Sequence, residues 1–488
     1  MRRPSRRQLS FAFADSPQGD GESTTSDESD GRGYLLHIAQ AKEASRLGAT
    51  TGDTHSLLER VASPVNLAMA LLHVARNKGA PGEDGQSVRD VVRHARSVLP
   101  HLRKALLTET YLPGAVRRVW IPKPGGGQRG LGIPNVIDRW VQQAVHQILE
   151  PIFDPAFHEC SHGFRSRHGA ETALADVRRY LAADRVWLVN IDLSKFFDRV
   201  NHQRLLARLE QRVSDKRVLK LIHRCLKAEV VMPDGVRVST DEGTPQGGPL
   251  SPLLSNIVLD ELDWELERRG LCFVRYADDF IVFVRSERAA HRVMDSITRF
   301  IEGRLRLKVN RDKSAVTGPD DTHFLGFRFQ RQPGGEVDVH LSQRSIDRLN
   351  TRVRELTRRT WGGSFATCMD GVSSYFRGWM AHFRLLTARG ASLLRRFDAH
   401  VRRRLRAVII HQKKRARYLF RFLLSCGVSR GAAWSTSFRR RGIWYRSHTP
   451  GIERAFPNAW FAERMALLEA EWQRLQPPRP ALKQQMLF

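Results

Sequence analysis

The sequence predicts an α+β fold followed by an all-helical region, and three observations carry that reading. Through its middle, short runs rich in Val, Ile, Phe, Trp and Tyr come in pairs joined by turn residues, the pattern of antiparallel hairpins. Amphipathic helical stretches lie between those pairs, so strands and helices share one region. From about residue 336 onward the apolar period is helical only. The expected division is a disordered arm over 1–54, an α+β region over 55–335, a helical region over 336–475 and a tail over 476–488.

A chain of 488 residues with 41% hydrophobic content can bury two or three cores. Its formal net charge of +29 attracts polyanions, of which nucleic acid is the commonest. Cys160, Cys225, Cys272, Cys368 and Cys426 are scattered with no Cys-x-x-Cys pair. That argues against a disulfide framework and a zinc ribbon, and fits a reducing compartment. No apolar run is long enough to cross a bilayer, so no membrane is expected as a partner. Four arginines precede a short apolar run over 9–14, but acids follow at once, so export is not expected.

Taken in order, residues 15–32 are mostly Ser, Gly, Thr and acid, too polar to offset the entropy of ordering, and are expected to be disordered. Ser63-Pro64 reads as an N-cap with proline in the first helical turn, and Leu67, Leu71 and Val74 lie on one helix face. The glycines of 77–85 then make a loop. Residues 117–134 read as strand, glycine turn and strand, with Arg117 and Lys123 on one arm and Arg129 at the start of the other. Such a basic hairpin can close over a triphosphate, although an ordinary basic surface hairpin has the same local pattern. Residues 138–149 form a helix with Val141, Ala144, Val145 and Ile148 on one face, and 161–165 a compact polar turn.

The run from Trp187 to Asp198 is a mostly apolar strand carrying Asp192, whose burial would be costly without a partner. An Arg or Lys would serve as that partner, and so would a metal ion. A second apolar hairpin, from Phe273 to Val284, carries Tyr276-Ala277-Asp278-Asp279 at its tip, with two like charges and no glycine in the turn. Acids placed where turn chemistry would choose glycine suggest carboxylates held out for a cation, and the pairing with this tip favours the ion for Asp192. Asp192, Asp278 and Asp279 make an oxygen-ligand set that suits Mg²⁺ or Mn²⁺ and not zinc. Two such ions can activate a 3′-hydroxyl and stabilise a leaving pyrophosphate, with Asp192 and Asp278 as the bridging ligands and Asp279 more peripheral. Lys123 and Arg129 would neutralise the triphosphate, and Lys313 could donate a proton to the leaving group. Phe197 would lie under the incoming sugar and collide with a 2′-hydroxyl. In Gly243-Thr244-Pro245-Gln246-Gly247-Gly248 the glycines, Gly247 among them, permit close backbone approach, and the Gln246 amide can reach a base or sugar edge. Residues 253–262 are expected to be helical and 324–329 another hairpin strand.

In the last third, Ile346, Leu349, Val353 and Leu356 mark one helix, and Phe376, Trp379, Phe383 and Leu386 a second. Leu393, Leu394, Phe397, Val401 and Leu405 mark a third. No Asp or Glu occurs between Asp398 and Glu453, while arginines and lysines crowd the interval among Tyr418, Trp434, Trp444 and Tyr445. A surface so one-sided suits RNA backbone and base stacking.

With these pieces in order, the chain strongly resembles the reverse transcriptase/maturase proteins encoded by bacterial group II introns. The motifs that carry the resemblance lie at 77–85, Ile121-Pro122-Lys123, 161–165, 192–198, 245–252, Tyr276 to Asp279, Lys313 and Phe324 to Phe327. The resemblance implies a right-handed polymerase, with fingers and a palm carrying the acids over 55–335 and a helical thumb and maturase region over 336–475. It implies RNA-directed DNA synthesis with two Mg²⁺ ions, for which Mn²⁺ can substitute, using an RNA template, a DNA primer and dNTPs. Group II intron RNA and target DNA are the implied partners, and the bacterial cytoplasm and nucleoid the implied location. Gln246 and its glycines match residues beside the nascent base pair, and 324–327 a strand that grips the primer. Two departures stand out. No His or Cys follows His448, so a His-Asn-His endonuclease is not expected, and His162 replaces the usual tyrosine. The rival readings are a retron-like, defence-associated or CRISPR-associated reverse transcriptase, and a splicing-only RNA-binding maturase. Oligomeric state stays open.

Overall fold

The computed structural model describes residues 31–40, 56–122, 126–244, 247–358 and 362–476. Lys123, Gln246 and most of the acidic arm lie outside the described residues. The chain forms two compact units, one of Met1–Tyr180 with Arg185–Val316 and one of Leu181–Asp184 with Thr317–Phe488.

In the first unit, strands β1 (Val116–Pro122) and β2 (Gln128–Ile133) pair antiparallel, with Ile121 opposite Arg129. A later hairpin of β4 (Val230–Val231) and β5 (Arg237–Val238) extends this sheet in the order β2-β1-β4-β5. The second sheet has the order β6-β7-β3-β8, from β3 (Trp187–Ile191), β6 (Cys272–Tyr276), β7 (Asp279–Val284) and β8 (Ala315–Thr317). Phe280 to Val284 are all buried, with no apolar–polar alternation, as in a central strand covered on both faces. The helix Glu287–Phe300 packs against β3 and β7, and the helix Ser251–Arg268 reaches β6.

The helix Pro64–Arg76 starts where the sequence indicates, with the Ser63 side chain accepting from the Asn66 amide. It packs along the helix Val136–Phe153, where Trp140 is fully buried and its indole N–H donates to the Leu67 carbonyl at 2.6 Å. Within the arm expected to be disordered, residues 31–40 are helical. Leu35 is fully buried, and Tyr34 and Ile38 pack against the core beside it, so this short apolar face gains from tertiary burial what its polar flanks lack.

Residues 324–327 are a turn and not a strand: Phe324 and Phe327 exchange backbone hydrogen bonds around Leu325 and Gly326, both at positive φ (52° and 89°). That is the two-residue turn in which a glycine relieves strain. The strand proper, β9 (Phe327–Arg331), pairs with β10 (Val337–Leu341). The helices Gln343–Leu356, Phe365–Phe383 and Ala388–Gln412 follow, burying Leu349 and Val353, Phe376, and Leu394, Val401 and Leu405 respectively. Two buried charges lock the long third helix to the end of the described chain. Asp398 accepts from the amides of Leu468 (2.9 Å) and Glu469 (3.0 Å), capping the helix Leu468–Leu475. Arg406 donates to the Phe456 carbonyl at 2.8 and 3.0 Å and to Asn458.

Candidate active site

Asp192 follows the last residue of β3 and does not lie inside the strand as its sequence context suggested. The register pairs Ile191 with Phe280, so Asp192 stands one step past the last pair, at the end of the sheet that carries the β6–β7 turn. Its backbone is held on the far side. Its amide donates to the Ser314 hydroxyl (3.0 Å), its carbonyl accepts from the Asn310 amide (2.8 Å), and Leu193 bridges Val309. The same segment brings the Lys313 ammonium to 3.9 Å from the Asp192 carboxylate, with Lys313 exposed and Asp192 half-buried. Sequence reasoning named Lys313, and missed that Asn310 and Ser314 aim Asp192.

The tip of the hairpin also differs from expectation. Tyr276 pairs with Asp279, so the turn residues are Ala277 and Asp278. Only Ala277 of the two has positive φ, at 58°. Asp278 is half-buried and Asp279 is exposed. Burial pushes the Asp278 carboxyl up from the usual aspartate range. The Arg129 guanidinium opposes that shift and the neighbouring Asp192 charge adds to it. The Asp192 charge makes ionisation of Asp278 more costly, and a cation held beside the two relieves that cost.

Among the described residues, no three His, Cys, Asp or Glu side chains converge on one point as a ready-made metal cage. Of the acids, Asp192 acts electrostatically on the Asp278 carboxyl. This donor set still fits a hard cation such as Mg²⁺, which is commonly held by one or two carboxylates together with substrate phosphates and water.

The basic hairpin sorts its arginines by face. Arg117 reaches back to the loop before it, one guanidinium nitrogen donating to the Pro81 carbonyl at 2.6 Å. Arg118, which the sequence did not single out, points to the other face, 4.0 Å from Asp198 and over the Trp120 ring. Arg129 is exposed and close enough to Asp278 to favour its charge. Phe197 is half-buried, edge-on to Phe196 at 5.2 Å, and its carbonyl accepts from the Thr244 amide. It lines a cavity of about 340 Å³ with Arg118, Gly132 and Thr244. Gly247, at φ 131°, lies against β2, where a Cβ would come within 2.5 Å of the Gly132 carbonyl oxygen. A side chain there would displace the loop from β2.

Behind the hairpin is a residue that sequence reasoning passed over. Arg275 in β6 is wholly buried and paired with the wholly buried Asp263. An arginine inside an apolar strand, three residues before an acid, was the available signal, because such a charge survives burial only when fully partnered.

The second unit exposes Tyr418, Trp434 and Tyr445, while Trp444 is half-buried beneath Arg403 at 4.1 Å. Arg439 and Arg441 flank the Tyr445 ring. Cations and exposed rings thus alternate over the helices Ala416–Ser425, Arg430–Phe438 and Ile443–Arg446.

Residues 121–329 match the family described as reverse transcriptase (RNA-dependent DNA polymerase). Residues 346–427 match the group II intron, maturase-specific domain. The Escherichia coli protein YkfC is 33% identical over 326 residues, 58% of this chain and 85% of YkfC. The group II intron-encoded protein LtrA of Lactococcus lactis is 29% identical over 300 residues, 48% of this chain and 50% of LtrA. A Saccharomyces cerevisiae relative, the putative COX1/OXI3 intron 2 protein, is 26% identical over 62% of this chain and 43% of its own length. The chain thus matches half or less of the length of these last two relatives. No helix among the described residues is long and apolar enough to cross a membrane.

Proposed function

Because the chain belongs to the family of group II intron reverse transcriptases and maturases, we infer that it is an RNA-directed DNA polymerase that also serves an intron. It would extend a DNA primer on an RNA template from dNTPs, while residues 336–475 bind group II intron RNA and promote its splicing and its movement into target DNA. The observation that supports the polymerase most directly is the placement of Asp192 and Asp278 at one end of a sheet, with Lys313 and Arg129 beside them.

Asp192 and Asp278 are the residues that would hold Mg²⁺, or Mn²⁺ in its place, with Asp279 peripheral. The bound ions supply activation of the primer 3′-hydroxyl and stabilisation of the leaving pyrophosphate. Arg129 neutralises the triphosphate from the fingers side, joined by Lys123. Lys313 would give a proton to the pyrophosphate oxygen as it leaves, a role its pairing with the Asp192 carboxylate supports. Phe197 closes the sugar site against a 2′-hydroxyl. Gln246 and Gly247 bring amide and backbone to the nascent pair, and the missing Cβ of Gly247 lets their loop lie against β2. The basic and aromatic face of the second unit supports the intron reading, since it offers charge and stacking together.

The test is an oligo(dT)-primed RNA template with Mg²⁺ and dNTPs, run beside Asp278→Ala. Extension by the wild type and none by the variant is the expected result. No extension by either, with tight and salt-sensitive RNA binding, would leave only the splicing role.

A further inference from the structure

We propose that Arg275 is a positioning residue for the metal-ligand hairpin, fixing the Ala277-Asp278 turn from behind through four partners held at once; this rests on the polymerase reading above. Its five N–H donors are all used. The Nε–H donates to Asp263 (2.8 Å), and Nη2 to the Asp263 carboxylate and to the Ser161 hydroxyl (2.6 Å). Nη1 donates to the Asn256 side-chain oxygen (2.8 Å) and to the carbonyl of Ala277 (3.0 Å).

That last bond reaches the one turn residue at positive φ. Alanine gains nothing locally from that conformation, so something outside the turn must hold it. The carbonyl of Ala277 is the peptide oxygen next to Asp278, and fixing it fixes the direction in which the carboxylate leaves the turn.

The other partners anchor the guanidinium itself. Asp263 and Asn256 lie on the helix Ser251–Arg268, and Ser161 lies on the loop beside β6. That loop is tied to the Arg275 backbone in both directions: the Arg275 amide donates to Cys160 and its carbonyl accepts from His162, each at 2.8 Å. Asn256 also donates to the Gly163 carbonyl (2.9 Å), and a Cβ on Gly163 would come within 2.3 Å of the Ala277 amide nitrogen. Helix, loop and turn therefore close a ring whose centre is one planar fork. A buried ion pair is a poor source of stability compared with apolar packing, which leaves geometry as its advantage. Lysine carries the same charge but cannot span these directions from one nitrogen.

The experiment compares wild type, Arg275→Lys, Ser161→Ala and Asp278→Ala as full-length chains, measuring melting temperature, primer–template Kd, kcat, the Mg²⁺ midpoint of extension, and Mn²⁺ binding by electron paramagnetic resonance. For folded Arg275→Lys the expected result is an unchanged primer–template Kd, kcat lower by about tenfold or more, a higher Mg²⁺ midpoint and weaker Mn²⁺ binding. Ser161→Ala, which removes one acceptor, shifts the same quantities in the same direction by a smaller factor. Wild-type kcat and metal affinity in folded Arg275→Lys would overturn the proposal. So would a fall in kcat that follows melting temperature alone, with metal affinity unmoved. If Arg275→Lys does not fold, an unmoved metal affinity in Ser161→Ala overturns it. Should the wild type fail to extend at all, the polymerase reading falls, and Mn²⁺ binding still reports whether Arg275 sets the carboxylates.

Discussion

The Asp138 carboxyl is almost wholly enclosed, accepting the Tyr111 hydroxyl and the Gly114 amide. Burial raises its pKa to about 7 against the opposing pull of those two donors. A carboxyl whose pKa is higher folded than unfolded contributes stability that is fully present below the unfolded value and lost as pH rises through the folded one. Asp138→Asn keeps an acceptor for both donors and cannot ionise. Its melting temperature relative to wild type is therefore expected to rise between pH 5 and pH 8, and a flat difference across that window would contradict the assignment. Phe197 is a residue-scale determinant of a different kind, since its size and not its charge is what matters. Phe197→Ala is expected to raise ribonucleotide incorporation relative to deoxynucleotide by about tenfold or more, measured as the ratio of kcat/KM values for dNTP and NTP.

At the scale of elements, the loop at Gly247 and the strand β2 are in backbone contact. Gly247→Ala must open that contact or strain a φ of 131°. The expected outcome is a KM for dNTP raised by about tenfold in single-nucleotide extension, with the melting temperature nearly kept because the change lies in a surface loop. What the sequence revealed of these elements follows from where their stability arises. Ser63-Pro64 and the acid hairpin were legible because their signals are local, a cap in one case and an apolar run on each side in the other. The turn was misplaced by one residue because the force that tolerates Ala277 at positive φ comes from Arg275 and its distant partners. The helix over 31–40 escaped notice for the same reason, since Leu35 is buried by elements far along the chain. The bond from Arg117 to the Pro81 carbonyl was not legible either, because nothing in a strand's own pattern shows which distant loop a guanidinium will reach.

At the scale of the whole molecule, a net charge of +29 makes nucleic-acid affinity a function of salt. Replacing Arg439, Arg440 and Arg441 with glutamine is expected to reduce the slope of log K against log salt by about two on single-stranded RNA, if each contacts a phosphate. Trp434→Ala, at an exposed ring, should lower affinity by about tenfold while leaving that slope unchanged, because stacking releases no counterions. Filter binding across a salt series separates the two. The bonds made by Asp398 and Arg406 bear on where this protein can be divided. The maturase match ends at residue 427, yet the partners of both buried charges lie at 456–469. A fragment ending at 427 would lose the partners of one carboxylate and one guanidinium in its longest helix, and with them the apolar cover that Phe461 and Leu468 supply. Recurrence among relatives and autonomy in folding thus have different borders here. A fragment over 317–476 should melt cooperatively by circular dichroism where 317–427 does not, so the stretch outside the match behaves as the keystone of the unit and not as its appendage.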